Sequence, residues 1–392
     1  MKSVLQKMAQ GFKVKKDAEK VYKRLRKHLD TLPVGYPSTL SGVELRLLSA
    51  MFTVEEAKLA TILNWRKETF EQIEERAVKQ GYEKERLLSL LDSMDRKGAI
   101  FVTMAGKKKY YALHPFVIGM FEMQLKRLTP NYYLDTRDYM LKSYAAEYYG
   151  SVPRQMRVIP VQRSVTPQMA IAAYDDIREI VDRTKDRIGV TDCICKVAKE
   201  SVGLPCKVTD RRDVCMGFRD FHDIYARHGW GRTVSKKEAM AILDRNEKEG
   251  LVLMPSTMQQ PQFVCSCCSC CCGIMELVGT MPRPADLVES NYRAVLKTDL
   301  CTGCGRCAKR CQMGAIVMEG NKAVAVDAKK CVGCGVCVAT CKANSLSLAR
   351  KEIQFVPPLD IEALYEHIDD NRKSKAGKMT FMARAAMGLN TK

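Results

Sequence analysis

Apolar positions between residues 37 and 113 recur first at helical spacing and then in a paired-strand pattern. Thr53 with Glu56, and Thr69 with Gln72, set a hydroxyl three residues ahead of a carboxylate or amide. That is the reciprocal capping pattern of a helix start. Leu87, Leu88, Leu91 and Met94 give one apolar face to a helix predicted over Glu83 to Lys97, and Gly98 stops it. Ala99 to Met104, a turn at Ala105-Gly106 and Lys107 to Leu113 then predict a hairpin. Three helices followed by a two-stranded hairpin predict a winged helix-turn-helix over 37–115. The basic segment 1–36 before it carries a helix predicted from Lys16 to Leu29 and closed by Leu32-Pro33.

Residues 116–190 are less patterned. Tyr132, Tyr133, Tyr139, Tyr144, Tyr148 and Tyr149 suggest packed helices, Pro153, Pro160 and Pro167 an irregular linker, and Asp175 to Asp186 an amphipathic helix. A cysteine-rich domain is expected over 191–280, with a helix opened by Ser235 and Glu238, ending near Gly250, and a strand over Leu251 to Met254. A doubled cysteine repeat occupies 292–350. Segment 351–392 begins after it, with Pro357-Pro358, a helix over Asp360 to Asp370 and a basic tail expected to be flexible. The expected class is α+β, in several domains.

The chain holds 18 cysteines, none before Cys193 and none after Cys341. No run approaches the ~18 apolar residues of a membrane span. Lys2, Lys7, Lys13 and Lys15 interrupt the N-terminal apolar stretches where a signal peptide needs a core. The expected location is therefore the cytoplasm. Reducing compartments keep thiols reduced, so thiols this clustered point to metal rather than to disulfides.

Cys301, Cys304, Cys307 and Cys311 follow C-x2-C-x2-C-x3-C, and Cys331, Cys334, Cys337 and Cys341 repeat it 30 positions later. Three cysteines at this spacing wrap one iron–sulfur cube, while the fourth reaches across to the other. The first [4Fe–4S] cluster is expected on Cys301, Cys304, Cys307 and Cys341, the second on Cys331, Cys334, Cys337 and Cys311. Gly303, Gly305, Gly333 and Gly335 let the loop backbone approach each cluster. Ala315-Ile316 and Ser345-Leu346 hold equivalent positions beside them. A zinc module has no use for eight thiolates in this doubled pattern. The segment resembles the bacterial two-cluster ferredoxins, which implies a (βαβ)2 domain that moves electrons. It departs from them at Gln312 and Lys342, where a proline commonly follows the fourth cysteine.

A second cysteine field comprises Cys193, Cys195, Cys206 and Cys215, then Cys265, Cys267, Cys268, Cys270, Cys271 and Cys272. These ten thiols suffice for one or two further iron–sulfur clusters, with a zinc site on some of them as the alternative. Adjacent cysteines point in different directions, so the sequence leaves the ligand subset open. His222 and His228 near this field are candidate ligands or local hydrogen-bonding groups, and Trp230 is expected to pack. The whole pattern resembles a family of iron–sulfur proteins of anaerobic bacteria that combine C-x-C, C-x-C-C-x-C-C-C and a C-terminal two-cluster ferredoxin domain. The resemblance implies low-potential electron transfer beside a larger redox enzyme in an oxygen-poor setting.

The formal charge of +19 falls to about +13 once three clusters at roughly −2 each are counted. Basic residues of the ferredoxin segment, among them Arg306, Lys309, Arg310, Lys322, Lys329, Lys330 and Lys342, favour an acidic redox protein or oxidoreductase complex as partner. Nucleic acid is a disfavoured partner. The helix over Glu83 to Lys97 has zero net charge, whereas a helix in the major groove presents basic or amide side chains. The main expectation is an electron-transfer subunit or adapter. The alternatives are a redox-sensing DNA-binding regulator and a reductase acting at an unusual cluster in the second field. No nucleotide fingerprint, phosphate loop or nucleophilic triad supports a stand-alone enzyme.

Overall fold

The computed structural model describes residues 16–391 apart from 168 and 170. The expectations for residues 1–15 lie outside that range. The chain divides into two compact units, one of residues 1–151 and 368–373, the other of 152–367 and 374–392. Both mix helix and sheet, in agreement with an α+β multidomain class.

In the first unit, α1 (Lys16–Leu29), α2 (Val43–Met51) and α3 (Val54–Ala60) lead to the two-residue strand β1 (Glu68–Thr69). Then follow α4 (Phe70–Val78), α5 (Lys84–Arg96), β2 (Phe101–Ala105) and β3 (Lys108–Ala112). The strands form one antiparallel sheet in the order β1-β3-β2. Both expected capping boxes form. Glu56 N donates to Thr53 Oγ1 at 3.2 Å while Thr53 N donates to Glu56 Oε2 at 2.7 Å, and Thr69 with Gln72 does the same. Leu87, Leu91 and Met94 are fully buried, as the helical period of α5 predicts, but Leu88, expected on the same face, is exposed because it lies a quarter turn from that stripe.

The tyrosines of 116–151 pack where the first unit needs bulk. Tyr36, Phe116, Tyr139 and Tyr144 interlock, with ring centroids 4.9–5.7 Å apart. The region 116–190 does not form one linker body. Residues 116–151 belong to the first unit and 152–190 to the second.

In the second unit, the helix expected over Asp175 to Asp186 is only α6 (Ile177–Asp182). Positive φ at Lys185 and Asp186 ends it early. A five-stranded sheet in the order β6-β4-β5-β8-β7 follows, built from β4 (Ile188–Thr191), β5 (Cys215–Phe218), β6 (Arg232–Thr233), β7 (Val252–Pro255) and β8 (Phe263–Cys267). The helix capped by Ser235 runs from Lys236 to Glu249, with Gly250 left-handed at its end. Two two-stranded sheets follow, one of them a hairpin. Strand β9 (Tyr292–Leu296) pairs with β12 (Leu346–Arg350), and β10 (Ile316–Glu319) pairs with β11 (Lys322–Val326), all antiparallel.

The tail is a correction. Residues after 370 include a helix, Lys375–Ala386, capped by Ser374 and burying Phe381 and Ala385. Its apolar residues at i and i+4 supply a face that its basic composition concealed.

Candidate metal centres

The eight cysteines of the repeat gather into two quartets, one in each of two cavities. Cys331, Cys334, Cys337 and Cys311 line one. Cys301, Cys304, Cys307 and Cys341 line the other. In both, the fourth cysteine comes from the other half of the repeat, the crossing expected from the spacing. Each loop turns through two left-handed glycines, Gly303 and Gly305 or Gly333 and Gly335. Backbone N–H groups reach the sulfurs, Ala294 N to Cys331 Sγ at 3.4 Å and Ala315 N to Cys311 Sγ at 3.2 Å. The Ser345 hydroxyl lies 3.1 Å from Cys341 Sγ. Burial pushes the Cys341 thiol up, but this hydroxyl and nearby backbone N–H groups hold it below its ordinary value. Burial pushes the Cys334 thiol up to about 12.

The two loops differ in cover. A Cβ on Gly333 would lie 2.1 Å from Tyr292 O, and one on Gly335 2.1 Å from Ser164 Oγ. Only glycine fits under that cover. Gly305 meets nothing within 4 Å, and Cys304 is exposed. The 301–306 loop faces solvent while residues 331–337 are mostly buried.

The ten thiols of the second field separate into six and four, a division the sequence left open. Cys265 and Cys267, two apart on β8, share a face, and Cys215 of β5 lies opposite Cys265 in the register. Cys193 and Cys272 occupy the N-caps of the helices Ile194–Ser201 and Gly273–Thr280, and Cys195 lies in the first turn of the former. Each of these six thiols interacts with two others, closing a ring in the order 193, 195, 272, 267, 265, 215. The two neighbours of each pull Cys193, Cys265 and Cys272 toward thiolate, Cys265 to about 6. The same neighbours push Cys195, Cys215 and Cys267 up. Two helix N-termini beside the ring favour negative charge there.

The other four thiols, Cys206, Cys268, Cys270 and Cys271, have all their sulfurs within 4.8 Å of one another. Lys196 Nζ donates to Cys206 Sγ at 2.8 Å. Val214 and Leu251, both fully buried, sit in an apolar cluster that touches both sets of thiols. The sequence missed Lys196, a buried cation whose only signal was its place next to Cys195. His222 lies outside both sets. Its Nδ1 is 2.8 Å from Asp223 Oδ1 and its Nε2 is 3.0 Å from Thr233 Oγ1. His228 stacks on Trp230 at 4.5 Å.

Gln312 links the repeat to the second field. Its Oε1 accepts from Ser269 N and Ser269 Oγ, each at 3.0 Å, and its Nε2 donates to Gly250 O at 3.1 Å. Proline cannot make these bonds, which gives the departure from the ferredoxin pattern a physical reason. Cys311 is already extended, with ψ 108°, as a residue before proline requires. Gln312→Pro is therefore expected to keep its full iron content yet lose about 1–3 kcal/mol of stability through the unpaired Ser269 groups. Iron analysis and thermal unfolding of the variant check both halves.

The family model of the 4Fe-4S dicluster domain matches residues 300–345. With the gathered cysteines, this supports a ferredoxin-like domain and an iron–sulfur electron-transfer role. No curated protein and no solved structure matches the chain. Among the described residues, no helix is long and apolar enough to cross a membrane.

Proposed function

We propose that the chain is a cytoplasmic electron-transfer subunit or adapter that passes low-potential electrons to or from an oxidoreductase. Cys301, Cys304, Cys307 and Cys341 hold one [4Fe–4S] cluster, and Cys331, Cys334, Cys337 and Cys311 hold a second. The ring of Cys193, Cys195, Cys215, Cys265, Cys267 and Cys272 holds a third, using four of its six thiols. Bound clusters supply reversible one-electron chemistry. The observation that carries the reading is the crossed quartet of cysteines in each of the two cavities.

The protein's own residues set access and environment. The exposed loop at Cys304 is the docking side, and exposed Arg306, Lys309, Lys322 and Lys342 around this half of the domain favour an acidic partner. Tyr292 and Ser164 cover the Gly333 and Gly335 loop and keep water from it. Gln312 fixes that loop's neighbour Cys311 against the turn at Ser269.

The helices and the β1-β3-β2 sheet of the first unit are a winged helix used for protein docking. Ion pairing argues against a DNA-reading role. Arg86 pairs with Glu55, Lys97 Nζ lies 2.6 Å from Glu56, and Lys109 Nζ lies 2.9 Å from Asp92. Cations already neutralised in this way release few phosphate counterions.

Protein purified without oxygen is expected to carry about twelve irons and twelve acid-labile sulfides per chain, four per cube. About eight of each would leave the six-thiol ring without a cluster and reduce the proposal to the ferredoxin domain.

A further inference from the structure

The quartet of Cys206, Cys268, Cys270 and Cys271 differs in scale from a cube site. Cys206 Sγ lies 3.7 Å from Cys268 Sγ and 3.8 Å from Cys270 Sγ, and Cys270 Sγ lies 3.5 Å from Cys268 Sγ and 3.8 Å from Cys271 Sγ. Four sulfurs at about 2.3 Å from one tetrahedral ion stand about 3.8 Å apart, the edge of that tetrahedron. A cube gives every thiolate its own iron corner, which spreads the ligand sulfurs to about 6 Å. Among the described residues, this quartet is the one group of three or more thiol, imidazole or carboxylate ligands found with every donor atom within 4.8 Å of the rest. The eight thiols of the ferredoxin segment, spaced for cubes, form no such group.

We propose that Cys206, Cys268, Cys270 and Cys271 bind a single tetrahedral Zn2+ ion, separate from every iron–sulfur cluster of the chain.

The donor set and its surroundings suit that ion. Four thiolates close a tetrahedral site with no open position, the form of structural zinc. Cys268 and Cys271 are buried, at 1% and 3% exposure. Binding releases the four thiol protons to solvent and leaves a net charge of −2 on the site. The Lys196 ammonium, 2.8 Å from Cys206 Sγ, offsets part of that charge. Val208 N, 3.4 Å from the same sulfur, adds a second donor.

The site also has structural work to do. Residues 203–214 join the helix Ile194–Ser201 to β5 without any helix or strand of their own. Cys206 is the point where this segment meets the turn of residues 268–271. An ion there ties two stretches of chain more than 60 positions apart. The tied turn is the one that Gln312 grips through Ser269. The zinc therefore fixes the platform on which the Cys311 end of the ferredoxin domain rests.

Two measurements on the full chain, purified without oxygen, test the proposal. Zinc-edge X-ray absorption of the wild-type protein is expected to show one shell of four sulfurs at about 2.3 Å. Absence of zinc, or a shell of oxygen or nitrogen, overturns the proposal without any variant having to fold. Cys206→Ser is then expected to lower zinc by about one ion per chain and leave iron and sulfide unchanged, since only one ion is shared by the four thiols. Loss of iron in place of zinc overturns the assignment, as does unchanged zinc. An iron count of eight in place of twelve in the wild type bears on the six-thiol ring alone and leaves the zinc result to stand or fall separately.

Discussion

Replacing Cys304 with alanine is expected to remove about four irons and four sulfides per chain, because one missing thiolate uncaps a corner of a four-cysteine cube. Cys304 is exposed, and the cavity it lines with Cys301, Cys307 and Cys341 holds no fifth cysteine to replace the lost sulfur. Water reaches the uncapped corner directly. On the proposed assignment the other cluster sits in the separate cavity of Cys331, Cys334, Cys337 and Cys311, under Tyr292 and Ser164, so its irons are expected to stay. The reduced protein should then lose one of two ferredoxin-type spectroscopic signals while the other keeps its intensity. Unchanged iron with both signals intact would remove Cys304 from the ligand set.

How much of this was legible in the sequence depended on the distance over which each feature is encoded. The crossed quartets were legible because a fixed local spacing, repeated 30 positions on, determines which sulfurs can meet. Helix starts at Thr53, Thr69 and Ser235 were legible because a cap and its partner lie within one turn. The division of the second field was not. It depends on β5 and β8 pairing Cys215 with Cys265, and on the chain leaving the strand after Cys267 to turn through Cys268. No local rule dictates where that strand ends, so ten thiols in a row of motifs could not be sorted. The tail helix was hidden by its basic composition, and only the burial of Phe381 and Ala385 reveals its apolar side. Gln312 was visible as a departure from a pattern, but its reason lies in Ser269, 43 positions away.

The buried arginine of the second unit, which no motif announced, gives the largest expected effect on stability. Arg157 is 1% exposed. Its Nε lies 3.3 Å from Asp175 Oδ1, and its Nη1 donates to Ser256 O at 2.5 Å and Met258 O at 3.2 Å. Its Nη2 donates to Tyr174 O. Asn291 Nδ2 in turn donates to Asp175 Oδ2 at 2.9 Å and to Phe355 O at 2.9 Å. One guanidinium thus ties the chain at 157, 174–175 and 256–258, and through Asp175 at 291 and 355. Arg157→Met fills the volume but leaves Asp175 buried without its counter-ion and three carbonyls without their donor. Breaking a buried pair from one side costs about 3–5 kcal/mol. For a unit of this size that is a fall in unfolding temperature of about 6–20 °C. The pH dependence separates this cause from simple loss of packing. Burial already raises the Asp175 carboxyl above its ordinary value, against the pull of Arg157, and removing Arg157 raises it further. The folded state then binds a proton that the unfolded state releases, so stability falls as pH climbs from the ordinary aspartate range through the raised value. The deficit of Arg157→Met should therefore shrink toward pH 4, where the folded-state carboxyl is protonated and the unfolded one is about half protonated, and shrink further below it. The double variant with Asp175→Asn should recover part of the loss at pH 7. A deficit that is flat with pH, and no recovery in the double variant, would assign the cost to packing and the unpaired carbonyls rather than to the buried charge.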